Sequence, residues 1–332
     1  MRVAARIAGL LAGVALAAGG MLAGCAGSGP GVPPVAGATG VPPAAGATGV
    51  PTGPRAATPR PHTFTVAERV LTFVDRSRLI RLPGRRPEPR RLVTVVRYPV
   101  HATGPFPLVV FGHGFAVTPA IYFRLLRAWA QAGYVVAAPV FPLGNAHAPG
   151  GPDEADIVNQ PRDMSFVITR LLAAGARRRG PLAGLIDPHR VAVSGQSDGG
   201  ETALAVAYDR HYLDRRVRAA IILSGAEIPG VGGFDFPSGS PPLLATQGTA
   251  DTINQPRFTY AFFRLAPRPK YLLKLLNARH LPPYTYEQPQ LSIVERVTVA
   301  FLDRYLKGAS RGIARMRAAG DVPGRADLVV RR

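Results

Sequence analysis

The chain has 332 residues, and with 47% hydrophobic and 8% aromatic residues it carries ample apolar surface for a packed core, which excludes disorder throughout. Forty Lys and Arg against 20 Asp and Glu leave a net charge of +20, carried almost wholly by Arg. That balance suits an anionic surface, such as lipid head groups or acidic wall polymers, and equally a solvated Arg-rich exterior; with no zinc-finger or RNP-type signature, no nucleic-acid partner is expected. A single cysteine, Cys25, excludes an intramolecular disulfide.

Arg2 and Arg6 precede an apolar stretch over 7–18. It is too short for a bilayer, which needs about 20 residues, and has the length of a signal-peptide core. The next motif, Leu22-Ala23-Gly24-Cys25, resembles the lipobox of bacterial lipoproteins. The resemblance implies that residues 1–24 are a signal peptide, that Cys25 is acylated, and that the protein is exported and lipid-anchored to the outer face of the bacterial cell membrane. Residues 25–61 are rich in Gly, Pro, Ala and Thr, and the segment 35–43 recurs at 44–52. So little bulky apolar surface cannot offset the entropy of ordering, so this is a linker.

From 62 onward, short apolar runs alternate with helical periodicity, the pattern of a mostly parallel sheet covered on both faces. Residues 91–98 alternate as a strand, with 69–75 as its antiparallel neighbour. Pro107-Leu108-Val109-Val110-Phe111 reads as a buried strand closed by Gly112. Thr118 and Pro119 then open a helix as N-cap and first-turn proline; Ile121, Leu125, Leu126 and Trp129 form one face, and Gly133 ends it. Further strands are predicted over 134–140, 191–194, 218–223, 242–246 and 271–275, with helices from near Arg162, through Tyr208, over 257–265 and over 291–306. The expected architecture is a doubly wound α/β domain of about eight strands over 62–310, without a large cap domain. Residues 311–332 are basic, poor in apolar residues and expected to be loose.

Gly195-Gln196-Ser197-Asp198-Gly199 fits G-x-S-x-G, and it has what a nucleophile elbow requires, a strand before it and a helix after it. The glycines allow a sharp turn in which backbones approach closely, and the hydroxyl of Ser197 sits at a helix N-terminus, whose dipole favours developing negative charge. Asp198, also at that terminus, suits the same dipole. In this fold order the acid and then the base follow the serine. His280 is the only histidine after His211, and it follows the strand 271–275. Asp251, in Gly248-Thr249-Ala250-Asp251, lies just past the strand 242–246, whereas Asp235 precedes that strand and Asp303 follows His280. The backbone N–H groups of Phe115, in Gly112-His113-Gly114-Phe115, and of Asp198 are the candidate oxyanion donors. His113 is assigned to holding that loop. The segment 143–159, rich in Gly, Pro and Asp, is expected to border the substrate mouth with Tyr122 and Phe141 nearby, either as a lid or as a plain loop. His101, His113 and His147 are too scattered for a metal site, and no cofactor is expected.

These motifs together resemble the dienelactone-hydrolase-like branch of the α/β-hydrolases, which includes platelet-activating-factor-acetylhydrolase-like, chlorophyllase-like and cutinase-like enzymes. The resemblance covers about 90–307 and implies hydrolysis of carboxylic esters through an acyl-enzyme on Ser197, His280 and Asp251. Two departures stand out: polyester hydrolases of the group carry an apolar residue where Asp198 stands, and dienelactone hydrolases proper use a cysteine nucleophile. An acyltransferase with an alcohol acceptor, and a non-catalytic membrane- or wall-binding lipoprotein on the same scaffold, are the alternatives.

Overall fold

Among the described residues nine strands join in one sheet: β1 (Thr65–Ile80), β2 (Glu88–Val100), β3 (Phe106–Gly112), β4 (Val135–Pro139), β5 (Ile186–Gln196), β6 (Val217–Leu223), β7 (Leu243–Gly248), β8 (Lys270–Leu275) and β9 (Ala326–Arg331). The order across the sheet is β1-β2-β4-β3-β5-β6-β7-β8-β9. The computed structural model describes residues 63–228, 230–231 and 235–332; the signal peptide, Cys25 and the linker of the sequence reading lie outside them. From β4 to β8 neighbouring strands run parallel, while β1, β2 and β9 pair antiparallel at the two sides. The fold is that of an α/β-hydrolase.

The strand residues show why the middle of the sheet is covered twice. Along β3, Leu108 and Val110 join one apolar cluster while Val109 and Phe111 join another. Successive side chains point to opposite faces, and a strand buried on both reads as a continuous apolar run. One face is covered by α1 (Phe123–Gln131), α5 (Gln290–Leu306) and α6 (Gly312–Gly320), through Leu125, Leu126, Trp129, Phe301 and Met316. The other is covered by α2 (Gln160–Gly175), α3 (Asp198–Tyr208) and α4 (Pro256–Leu265), through Met164, Val167, Leu204 and Phe262. The one polar atom of the Trp129 indole is satisfied within the core, where Nε1 donates to Thr298 Oγ1 at 2.8 Å.

Two expectations need correction. Thr118 is extended and makes no side-chain cap, and the helix it precedes begins as a 3₁₀ turn, Pro119–Tyr122. The segment 311–332 is not loose: it forms α6 and β9, and β9 pairs with β8 from Lys270↔Arg331 to Leu275↔Ala326. The compact unit accordingly runs His62–Arg332 rather than stopping at 310.

The segment 143–159 is fixed to the body. Leu143, Asn145, Asp156 and Ile157 are buried. Asp156 and Asp163 both accept from Arg90 of β2, which makes four hydrogen bonds of 2.6–2.9 Å. Burial opposes the guanidinium charge, but the two carboxylates outweigh it and hold the Arg90 pKa above its ordinary value. A buried charge is tolerated only with such pairing.

Candidate active site

Every candidate residue lies at the carboxyl end of a parallel strand, where sheets of this type hold their sites. β3 leads to the loop 113–116, β5 to Ser197, β7 to Asp251 and β8 to His280. Ser197 takes φ 56° and ψ −123°, outside the ordinary regions for a residue with a side chain. Strain of about 1–3 kcal/mol at such a residue persists only where its surroundings over-determine it. Here Ser197 N donates to Leu223 O at 3.1 Å, and Ser197 O accepts from Glu201 N at 3.0 Å. The flanking glycines are a matter of space: a Cβ on Gly195 would fall on the Gly199 carbonyl, and one on Gly199 would fall on the Gly112 carbonyl.

The acid and the base are sewn together by their loops. Thr249 N donates to Leu275 O at 2.9 Å, Ala250 N to Ala278 O at 3.0 Å, and Asn277 N to Thr249 Oγ1 at 2.8 Å. Within this frame Asp251 Oδ2 lies 2.8 Å from His280 Nδ1. The remaining capacity of the carboxyl group is taken by Gln247 Nε2 at 3.2 Å, Ile253 N at 2.9 Å and Asn254 N at 3.0 Å. Because the carboxylate only accepts, His280 Nδ1 must carry the proton, and Nε2 is left with the lone pair. That lone pair faces the Gln196 amide, whose Nε2 is 3.2 Å away. Asp251 and His280 are thus brought into contact, while Ser197 Oγ has no hydrogen-bond partner among the described residues.

The loop after β3 presents a free donor at one position. Gly114 N donates to Tyr122 Oη at 3.3 Å and Ala116 N to Gly144 O at 2.9 Å. Between them, Phe115 N has no partner among the described residues. Asp198 N, at the first position of α3, has no backbone acceptor within its helix. His113 holds the loop from beneath: Phe141 N donates to its Nε2 at 3.0 Å, so Nδ1 carries the proton and donates to Gly114 O at 2.8 Å. Complete burial lowers the His113 pKa to about 4, which keeps the ring neutral.

Asp198 departs from the sequence reading. Its side chain is only 4% exposed and Oδ2 has no partner among the described residues. Burial first, then the charge of Glu154, raises its pKa to about 7, against the pull of its own backbone N–H. The helix terminus does not keep it an ordinary ionised acid. Glu201, one turn further along α3, is buried with an unpartnered Oε2 and is raised well above the ordinary value, chiefly by burial.

The chlorophyllase family model matches residues 76–243, half of the chain. The chain belongs to the chlorophyllase family. The matched span holds the loop after β3 and the elbow at Ser197, whereas Asp251 and His280 lie beyond it. The sequence matched no curated protein. The family places the chain among the α/β-hydrolases that act on esters.

Sequence reasoning missed the supporting role of three polar side chains, Gln196, Gln247 and Tyr122; Tyr122, expected near the substrate mouth with Phe141, is fully buried, as Phe141 is. Gln247 is buried, and besides Asp251 it bonds Thr259 Oγ1 at 2.6 Å and the Asn254 carbonyl at 3.0 Å. The available signal was a Gln closing an otherwise apolar strand, since an amide buried there has to be bonded to something.

Proposed function

We propose that the protein is a serine carboxylic-ester hydrolase working through an acyl-enzyme. Ser197 Oγ attacks the ester carbonyl carbon and its proton passes to His280 Nε2. Asp251 keeps the imidazole proton on Nδ1 and stabilises the cation that forms. The N–H groups of Phe115 and Asp198 receive the carbonyl oxygen as it becomes an oxyanion. His280 then returns its proton to the leaving alkoxide, and the alcohol departs. Water, deprotonated by His280, attacks the acyl carbonyl; Ser197 leaves as its alkoxide, is reprotonated, and the acid is released. The observation that supports this reading is the 2.8 Å bond between His280 Nδ1 and Asp251 Oδ2, with His280 Nε2 3.2 Å from the amide of Gln196, the residue before Ser197. In an unliganded site the bond from serine to histidine is commonly long and tightens with substrate.

A fluorophosphonate label mapped by peptide sequencing tests the proposal, with a p-nitrophenyl ester series of increasing acyl length. Labelling at Ser197 and loss of turnover in Ser197→Ala are expected; unchanged turnover in that variant refutes the mechanism. Product analysis with an added alcohol separates hydrolysis from acyl transfer. For location, we propose that Cys25 carries the lipid that holds the enzyme at the outer face of the cell membrane. Palmitate incorporation that survives Cys25→Ser would refute this.

A further inference from the structure

Gln196 immediately precedes Ser197, and its side chain is almost fully buried although it belongs to none of the groups assigned to the reaction. Three hydrogen bonds converge on it. Its Oε1 is 2.7 Å from Tyr122 Oη, and its Nε2 is 3.1 Å from the His280 carbonyl and 3.2 Å from His280 Nε2.

The orientation of the amide follows from its neighbours. Tyr122 Oη already accepts from Gly114 N, so its own proton goes to Gln196 Oε1. Burial pushes the Tyr122 phenol far above its ordinary range, so that proton is retained. At the other end, the His280 carbonyl can only accept and therefore requires the nitrogen. Both constraints select one orientation, and they come from different segments. The second amide proton then meets the His280 lone pair, the same lone pair that must receive the Ser197 proton.

We propose that Gln196 is a positioning residue for His280: its amide, oriented by Tyr122, clamps the His280 loop and ring against the strand that delivers Ser197. The proposal rests on the Ser197, His280 and Asp251 mechanism above. The same amide reaches the oxyanion loop through Tyr122 and Gly114, so one side chain ties together the segments that hold the nucleophile, the base and an oxyanion donor. When substrate brings Ser197 Oγ–H to His280 Nε2, the amide gives up that one contact, and its bond to the His280 carbonyl remains to hold the ring in place.

The test uses Gln196→Met, which keeps length without polar groups, Gln196→Glu, which keeps an acceptor for Tyr122 without a donor for His280, and Tyr122→Phe. Fluorophosphonate inactivation rates, kcat and KM on a soluble p-nitrophenyl ester, and the proton resonance of His280 Nδ1–H are measured on the whole protein. Misplacing a base costs up to about a hundredfold. Both Gln196 variants are expected to lose about ten- to a hundredfold in kcat and inactivation rate, with KM little changed and the Nδ1–H resonance broadened. Tyr122→Phe is expected to lose less, and to cost less in the Gln196→Met background than alone, as for residues acting in one network. Gln196→Met that labels at the wild-type rate with an unaltered resonance overturns the proposal and leaves the hydrolase assignment standing. A wild-type protein that does not label at Ser197 overturns the assignment, and the proposal with it. Should Gln196→Met not fold, wild-type behaviour of Tyr122→Phe in all three measurements overturns the proposal equally.

Discussion

Replacing Asp198 by Asn should make the protein more stable at alkaline pH and leave it unaltered in acid. The folded protein keeps the Asp198 proton up to about pH 7, whereas an exposed aspartate releases it near 3.8. Between these values the folded state binds more protons than the unfolded state, so stability falls as pH rises, and above about 7 the full loss is in place. At ~1.4 kcal/mol per pH unit the total is on the order of 4 kcal/mol. Asn has no charge to desolvate and lacks this slope. Urea unfolding of both proteins at pH 4, 5, 6, 7 and 8 should show a stability difference near zero at pH 4, growing toward that figure by pH 8. The charge of Asp198 also bears on Glu201, so part of the gain comes from relief of that neighbour, and repeating the series in Glu201→Gln separates the two. A difference that stays constant from pH 4 to 8 would refute the reasoning, because it would mean that Asp198 ionises normally where it stands.

Gly199→Ala places a methyl group on the Gly112 carbonyl, with backbone on both sides and no side chain to yield. A loss of about 4 kcal/mol or more, at the severe end of single substitutions, should appear in a thermal melt or as insoluble protein, and a wild-type melt would contradict it. Gln247→Leu removes a donor to Asp251 and leaves Thr259 Oγ1 with only its longer bond to the Gly225 carbonyl. About 1–2 kcal/mol of lost hydrogen bonding should lower ester turnover roughly tenfold in steady-state kinetics. Arg90→Met leaves buried Asp156 with no cation and Asp163 with Arg78 alone, and chemical denaturation should register a loss of about 3 kcal/mol.

What the sequence made readable was local pattern and order. The elbow was visible because five residues, the apolar run before them and the small-residue helix after them all lie together. The pairing of Asp251 with His280 followed from their order relative to two strands. The supporting amides were not readable. The partners of Gln196 lie 74 and 84 residues away, and such contacts leave no periodicity along the chain. The environment of Asp198 was hidden for the same reason: Glu154, which raises its pKa, belongs to another element, and burial beneath the elbow is a property of packing. β9 escaped notice because an edge strand needs few apolar residues. Ala326 and Leu328 are buried, while the arginines that follow gave the segment the composition of a solvated tail.

That edge strand has a bearing on how the enzyme comes into being. β8, which delivers His280, meets β7 on one side, but its other edge is completed only by Ala326–Arg331. During synthesis the histidine strand therefore waits, half-paired, until the chain beyond it has been made. A protein cut at 310 would keep every group assigned to the reaction and yet present the open edge of β8 to solvent, where strands of separate molecules join. Residues with no assigned part in the reaction thus cover the edge through which the strand of the base would otherwise meet another molecule.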